Sequence, residues 1–353
     1  MNTEGFVELL RSLCLAHGIS GHEQAVVRKL RDQLTEYPDL NIDNFGNISV
    51  KIKGSGKAPS LLFMAHTDEV GCVVNRILPN GLLSFKTVGC VAESTLPTTR
   101  VRVGELIGTV TSPPAHMAAN VAGATWDTYI DIGAESREDA EAMGVRIGDP
   151  VSFDTDFIRI GKNRLLSRCI DDRVGCAILV TLLNELKASG QTPPGDVIFA
   201  FSVREETTMT GAKMLVNRLR PDCAIAIDTV PVDDTHVPDP QLRIGGGPVL
   251  QLMEGVMRSY VGNCAHPALV DALCSSARSA NVPVQLCAEV GIWTTDGHAI
   301  HESGGGTPSA YVSIPRRYAH SASEVMDLRD AENALCLLSD LIFSMDKVSL
   351  SFI

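Results

Sequence analysis

The 353-residue chain has no apolar run that approaches the roughly 20 residues needed to span a membrane. Its first residues carry an acid at Glu4 and lack a basic stretch followed by an apolar core, so we expect no secretory signal peptide. The net charge is −12, and no run of basic residues is longer than two, as in Arg316-Arg317. This composition argues against nucleic acid or an anionic membrane as a partner.

Paired cysteines are also missing, because the ten cysteines are scattered without a Cys-x-x-Cys motif. Several of them, such as Cys176 and Cys223, lie in apolar runs. Reduced, packed thiols fit this distribution better than a disulfide framework does. We therefore predict a cytoplasmic protein.

The hydrophobic share of 44% is sufficient for a large core. Apolar runs typical of buried strands alternate with segments of helical spacing in residues 1–68 and 164–353, which predicts an α/β domain with a mostly parallel sheet and helices on both faces. Between them, short Val- and Gly-rich segments such as GCVVNRI and TRVRV alternate with turns. This pattern predicts an inserted domain at residues 69–163, built as a small β-barrel or sandwich.

Two adjacent acids, Glu205 and Glu206, follow the apolar run at residues 197–201. A buried strand that ends in paired carboxylates is costly unless the acids bind a cation or take part in chemistry. The simpler alternative is that one of them is an exposed acid at the end of a strand.

Four other polar residues occupy similar places in the chain. His66 and Asp228 each follow a short apolar run, His320 comes shortly after another, and Asp171 opens a helix. Ligands of open α/β sheets bind at the carboxyl ends of the strands, so we expect these residues to converge with the glutamate pair. Histidines and carboxylates without cysteine suit zinc, cobalt or manganese.

Each of these residues also has a simpler explanation when it is taken singly. Asp171 has the position of a helix N-cap, Asp228 that of a turn residue, and His66 that of a packed histidine. His320 lies among serines and suits a plain loop. We favour convergence because all of these explanations would have to hold together at matching strand ends.

Five segments carry a resemblance to a known family: MAHTDEVG, CIDDRVG, REETTMTGA, AIDTV and SIPRRYAHSASEV. They resemble, in order and spacing, the signature segments of the tetrahedral (TET) aminopeptidases, which include glutamyl, leucyl and lysyl aminopeptidases. That family belongs to the dinuclear-metal (zinc) exopeptidase superfamily. The resemblance extends over the whole chain and implies a zinc-exopeptidase-like fold with a mixed sheet, a PDZ-like insert that serves dimerisation or oligomerisation, and a tetrahedral dodecamer. It implies a metal-dependent aminopeptidase acting on short peptides.

The resemblance also implies the metal ligands. His66 and Asp228 would bind the first of two divalent ions (Zn, Co or Mn), Glu206 and His320 would bind the second, and Asp171 would bridge both. It further implies a cis peptide bond after Asp171.

Two catalytic roles are implied in the same way. Asp68 would orient and polarise the His66 imidazole. Glu205 would act as the general base, taking a proton from a water shared by the two ions and delivering it to the leaving amine.

One segment departs from the family pattern. The family has a small apolar residue and a glycine after the two glutamates, whereas this chain has Thr207-Thr208-Met209-Thr210, and Arg204 precedes the pair. Loss of a glycine changes the backbone angles that the turn can reach. We therefore expect this turn to influence pocket shape and substrate preference.

Three alternatives remain open from the sequence. The first is a deacylase or carboxypeptidase of the same superfamily, and the second is a non-catalytic metal-binding homologue. The third is a glycosidase, in which two carboxyl groups flank the sugar about 5–10 Å apart. Glu205 and Glu206 are poorly placed for that, because they are adjacent at one strand end.

Overall fold

The computed structural model describes residues 2–112, 127–256, 261–288 and 293–351. In these ranges the chain forms a large mixed β-sheet with helices on both faces and a separate closed β-barrel. This confirms the predicted α/β class with an added barrel.

The secondary-structure elements are numbered in chain order among the described residues. The strands are β1 (Asn41–Ile42), β2 (Ile48–Ile52), β3 (Leu61–His66), β4 (Gly71–Ile77), β5 (Leu83–Val88), β6 (Arg100–Val103), β7 (Leu106–Val110), β8 (Ile130–Asp131), β9 (Pro150–Phe153), β10 (Ile158–Ile160), β11 (Arg164–Ser167), β12 (Val197–Ser202), β13 (Cys223–Pro231), β14 (Val249–Val256), β15 (Val261–Cys264), β16 (Gln285–Ala288), β17 (Ser309–Arg317) and β18 (Glu324–Asp327). The α-helices are α1 (Thr3–Cys14), α2 (Gln24–Leu34), α3 (Arg137–Ala142), α4 (Ile170–Ser189), α5 (Glu205–Thr208), α6 (Thr210–Leu219), α7 (Pro267–Ser279), α8 (Asp296–Glu302) and α9 (Leu328–Ser344). None of these described helices has both the length and the apolar character that crossing a membrane requires.

The large sheet has the strand order β1-β2-β12-β3-β13-β17-β18-β11-β10, and β14 pairs with β17 as well as with β15 and β16. Its central strands β12, β3, β13 and β17 are parallel. The flanking pairs, such as β1 with β2 and β17 with β18, are antiparallel. The alternation of strands and helices thus predicted the parallel centre but not the antiparallel flanks, which make the sheet as a whole mixed, as the zinc-exopeptidase resemblance implies.

The central strands are largely apolar before their carboxyl ends because helices cover both faces of the sheet. Every residue of β3 and β12 is buried, and the rings of Phe63 and Phe199 lie 5.7 Å apart between these strands. Helix α4 contacts β3, β13, α1 and α9, whereas α6 and α8 contact each other and also β12 or β13. The two groups of helices hold the central strands rigidly in register.

The barrel closes in the order β4-β5-β8-β7-β6-β9 and has its own apolar core, which includes Val74, Leu83, Val101 and Val151. Its last strand ends at Phe153, and the next strands, β10 and β11, pair in the large sheet. Residues 113–126 of the predicted insert lie outside the described ranges. The domain division at residues 69 and 163 stays a prediction.

The carboxyl ends of the central strands lie level with one another. His66 pairs with Ser202, and Met64 pairs with Ala226 two residues before Asp228. Strand β13 continues past Asp228 to Pro231 because it pairs with β17 as far as Arg316. Asp228 thus lies within β13 rather than after it, although it still lies at the same sheet edge.

Helix α4 begins with the expected cis peptide bond between Asp171 and Asp172. Neither residue has helical backbone angles, so the regular helix starts after Asp172. Asp171 therefore stands at the start of the helix rather than along its side.

The first turn of α6 crosses the end of β12 so closely that Gly211 has no room for a side chain. An added Cβ would lie 2.3 Å from the Val203 carbonyl oxygen and 2.6 Å from Asn47 Oδ1. We expect Gly211→Ala to lower the free energy of unfolding by about 1–3 kcal/mol, the usual cost of overpacking. The measurement is the thermal unfolding midpoint.

The matched control is Gly5→Ala in α1, where the nearest atoms to an added Cβ all belong to the Asn2 side chain. This change should be neutral or slightly stabilising because alanine has the higher helix propensity. Equal midpoints for the two variants would contradict the close approach at Gly211.

Candidate metal centre

The sheet edge brings together six residues from five parts of the chain, here named the strand-end cluster. It consists of His66, Asp171, Glu205, Glu206, Asp228 and His320. Within each of three groups of three residues, the ligand atoms lie within 4.8 Å of one another. One group is His66, Glu205 and Glu206. The other two share Asp171, and we call them the first position (His66, Asp171, Asp228) and the second position (Asp171, Glu206, His320).

Asp171 belongs to both positions because its two carboxylate oxygens face different ways. Its Oδ1 lies 3.1 Å from His66 Nε2, and its Oδ2 lies 3.3 Å from His320 Nε2. His66 Nε2 is also 3.7 Å from Asp228 Oδ1, and His320 Nε2 is 3.5 Å from Glu206 Oε2. The arrangement suits a carboxylate shared by two neighbouring cations.

The cluster contains more buried carboxylate than the nearby basic groups can neutralise. Asp171, Glu205 and Asp228 are buried, and Asp68, Asp172 and Asp296 are buried beside them. The Glu206 Oε1 atom is buried without a hydrogen-bond partner. Such an excess requires either protonation or bound cations. The imidazole nitrogens and carboxylate oxygens therefore fit a divalent ion of the zinc, cobalt or manganese type.

The pKa values of the cluster reflect this crowding. Burial, with the nearby charge of Asp171, raises the pKa of Asp228 to about 6 and that of Glu206 to about 8. Burial also raises the pKa of Glu205 well above its usual range. Although burial lowers the pKa of His320, its hydrogen bond to Asp171 raises that pKa to about 9. Without cations, the cluster therefore holds extra protons near neutral pH.

Asp68 fixes the turn that carries the two glutamates. Its Oδ1 accepts a hydrogen bond from the Glu205 backbone N–H at 2.9 Å, and its Oδ2 accepts one from that of Glu206 at 3.1 Å. The same carboxylate lies 3.4 Å from His66 Nδ1 and accepts a hydrogen bond from Ser20. Asp68 thus connects the imidazole of the first position with the turn of the second.

Glu324 is a cluster neighbour that the sequence analysis missed. Its buried carboxylate accepts hydrogen bonds from the backbone N–H of Asp171 at 3.2 Å and of His320 at 2.9 Å. It therefore positions two candidate ligands from different elements. The only signal in the sequence was its place in the SIPRRYAHSASEV segment, four residues after His320.

Arg316 is the second residue that the sequence analysis missed. It is 2% exposed, and its Nη2 donates a hydrogen bond to Asp171 Oδ2. The neighbouring Arg317 instead pairs with Asp234, with 2.5 Å between Nε and Oδ1. Side chains alternate along β17, so adjacent arginines point to opposite faces. The alternation of side chains along a strand was the available signal for a buried Arg316, whereas the sequence analysis considered Arg316-Arg317 only as a short basic run.

In the departing turn, Thr207-Thr208-Met209-Thr210, the two positions directly after the glutamates do not need a glycine. Thr207 and Thr208 lie in α5, and the left-handed backbone falls on Arg204 (φ +62°) and Met209 (φ +51°), which flank this helix. His320 is also left-handed, with φ +56°. Such residues cost about 1–3 kcal/mol each and concentrate at functional sites.

A cavity of about 430 Å³ opens beside the cluster. Thr207 and Met209 line one part of it, and Trp293, Thr294 and Thr295 line another. The cluster supplies its polar floor, with Asp171, Glu205, Glu206, Asp228 and His320 among the lining residues. The departing turn is thus part of the wall of the cavity beside the cluster.

Comparison with known proteins identifies one family. The model of the M42 glutamyl aminopeptidase family matches residues 46–337. A protein described as a putative aminopeptidase of Acetivibrio thermocellus is 34% identical over 347 residues, which cover 97% of this chain and 100% of the relative.

Two solved structures are similar over nearly the whole chain. Aminopeptidase APDkam598 of Desulfurococcus kamchatkensis has a TM-score of 0.89 at 33% identity, covering 97% of this chain and 95% of its own. The TET1 peptidase of Pyrococcus horikoshii has a TM-score of 0.84 at 29% identity, and the similarity covers 96% of this chain and 99% of that peptidase. The TET1 peptidase is described as able to assemble into a tetrahedron or a large octahedral shell.

The raised pKa values predict that the metal-free chain loses stability as the pH rises from about 5 to 9. The protonated forms of Asp228 and Glu206 contribute their full stabilisation only below the pKa values that these acids have in the unfolded chain, which are near 4. This stabilisation is lost as the pH rises through their pKa values in the folded chain, about 6 for Asp228 and about 8 for Glu206. The pKa of His320 is raised to about 9, so its contribution is present below its unfolded value and is lost over the same rise.

Divalent metal should reverse this trend, because its ligands must be deprotonated. The metal-induced rise in the thermal midpoint should therefore grow with pH when chelated and metal-loaded samples are compared. Asp330, whose pKa burial raises to about 6 away from the cluster, affects both samples alike. A metal-induced rise that stays the same between about pH 5.5 and 8 would contradict the prediction.

Proposed function

The chain belongs to the M42 glutamyl aminopeptidase family, and from this premise we propose that the strand-end cluster binds two divalent metal ions. As a member of this family, the chain is a metal-dependent aminopeptidase, a hydrolase that removes N-terminal residues from peptides. The proposal concerns the number of ions and the residues that bind and use them. The observation that carries it is the shared carboxylate of Asp171, whose oxygens face the two histidines.

In the proposed site, the first position binds one ion and the second position binds the other. The ligands would be His66 and Asp228 for the first ion, Glu206 and His320 for the second, and Asp171 for both. Bound divalent ions supply a strongly acidified water and positive charge for a developing oxyanion. Zinc, cobalt and manganese all suit this donor set, so we propose one of them as the metal.

Glu205 is placed to move the proton in this reaction. Its Oε2 lies 3.8 Å from His66 Nε2, at the floor of the cavity. Burial raises its pKa well above the usual range, and an upward shift of this kind is typical of carboxylates that act as general base and acid. Glu205 would take a proton from the attacking water and return it to the nitrogen of the departing amine, which restores the carboxylate.

Asp68 would serve by position and charge rather than by touching the substrate. It lies 3.4 Å from His66 Nδ1, so it favours the tautomer that leaves Nε2 free for a ligand. It also accepts a hydrogen bond from the backbone N–H of Glu205, so one carboxylate positions both the proposed base and His66.

The cavity supports short peptides as substrates. About 430 Å³ is enough for a terminal residue and part of the next, and Met209 and Trp293 provide apolar surface. Because Thr207 and Met209 line the cavity, we propose that the departing turn contributes to substrate preference.

We further propose a homo-oligomer, a tetrahedral dodecamer in the cytoplasm, assembled through the inserted domain at residues 69–163. The similarity to the TET1 peptidase supports this assembly. The insert also carries large apolar side chains at its surface, with Ile107 55% exposed and Ile147 69% exposed. Residues 1–68 and 164–353 would form the catalytic domain.

The two adjacent glutamates should respond differently to the same substitution. Glu205→Gln should lower turnover of aminoacyl substrates by about 10²–10⁴-fold, the usual contribution of a general base, and leave the metal content unchanged. Glu206→Gln should lower the metal content, because it removes a ligand. The measurements are hydrolysis after reloading with zinc, cobalt or manganese, and metal analysis of the dialysed protein.

Each variant is the control for the other, since the changes have equal size and lie on the same turn. Full turnover in Glu205→Gln would contradict the role of this residue. Equal metal content in both variants would contradict the assignment of Glu206 as a ligand.

A further inference from the structure

Arg316 contacts the carboxylate on which both proposed metal positions depend. Its Nη2 donates a hydrogen bond to Asp171 Oδ2, the oxygen that faces His320. The other oxygen, Oδ1, faces His66 and has no arginine partner among the described residues. The guanidinium therefore acts on one side of the shared ligand.

Two further contacts hold the guanidinium in place. Its Nε lies 2.5 Å from Thr229 Oγ1, and its Nη1 lies 2.9 Å from Glu324 Oε1. Its backbone belongs to β17, where Arg316 pairs with Pro231 of β13. Because the side chain is buried and anchored, it cannot leave Asp171 without exposing or unpairing Glu324.

No other lysine or arginine side chain in the described part of the chain forms an ion pair with the strand-end cluster. Arg168 and Arg173 are also buried, but both pair with Glu69. Arg316 is thus the fixed positive charge of the site, and it lies against the second position.

A fixed positive charge opposes a divalent cation at short range, most strongly in a buried site. The hydrogen bond to Oδ2 also occupies the oxygen that an ion at the second position would use. We propose that Arg316 makes the two positions unequal, so that the first binds its ion tightly and the second binds its ion weakly. This inference rests on the proposed two-metal site.

The consequence is a site whose second ion depends on metal supply. Over a range of free metal concentration the first position is filled and the second is not. If turnover needs both ions, activity follows the concentration of free metal in this range. Arg316 is then a positioning residue that sets the range, without touching the substrate.

The test is a calorimetric titration of the chelator-stripped full chain with zinc and, separately, with manganese. In the unsubstituted chain we expect one tight and one weak step. Arg316→Gln should tighten the weak step by about 10- to 100-fold, because it removes a buried positive charge from beside the ion, and leave the tight step unchanged. Arg316→Lys retains the charge and should keep the weak step weak.

The matched control is Arg317→Gln, which removes the next arginine of the same strand, paired with Asp234 instead of the cluster. It should leave both steps unchanged. Metal-induced gain in the thermal midpoint gives a second readout, because tighter binding to the folded state raises it. That gain should be larger for Arg316→Gln than for Arg317→Gln.

Two results would overturn this inference and leave the proposed two-metal site standing. They are two binding steps of equal affinity in the unsubstituted chain, or an Arg316→Gln variant whose second step is no tighter than in the unsubstituted chain. The first of these needs no variant, so the inference stays testable even if the loss of the partner of Glu324 impairs folding. Binding of fewer than two ions at saturating metal by both the unsubstituted chain and Arg316→Gln would overturn the proposed two-metal site together with this inference.

Discussion

The shared carboxylate of Asp171 is the contact on which the rest of the site depends. Its two oxygens join the histidines of two separate strand ends, His66 and His320, which are 254 residues apart in the chain. This junction is stable only if the surrounding negative charge is balanced, because buried carboxylates that stay ionised without partners are costly. Protons supply that balance in the metal-free chain and cations would supply it in the active enzyme.

The fold delivers this junction through the register of its central strands. Parallel pairing of β12, β3 and β13 levels their carboxyl ends, and the start of α4 places Asp171 above them. Two buried acids then fix the parts that could move. Asp68 holds the turn of Glu205 and Glu206, and Glu324 holds the backbones of Asp171 and His320. The candidate ligands are thus positioned by the scaffold itself.

The six cluster residues could be found from the sequence because each follows or opens an apolar element, and strand ends of parallel sheets meet at one edge. Arg316 and Glu324 could not be found that way. A buried ion pair between an arginine and an acid eight residues later has no spacing that distinguishes it from two surface charges, and only the tertiary fold brings both to Asp171. The directions of individual flanking strands could not be predicted from local pattern either, because they are set by pairing partners that only the tertiary fold brings together, as for β2 with β12 and β11 with β18.

The most direct test of the central claim is anomalous X-ray diffraction from crystals soaked in saturating zinc or manganese. The account predicts two anomalous peaks per chain, one among His66, Asp171 and Asp228 and one among Asp171, Glu206 and His320. It also predicts that the second peak is the first to disappear as the metal concentration is lowered. A single peak at saturating metal, or peaks that do not share Asp171, would contradict it.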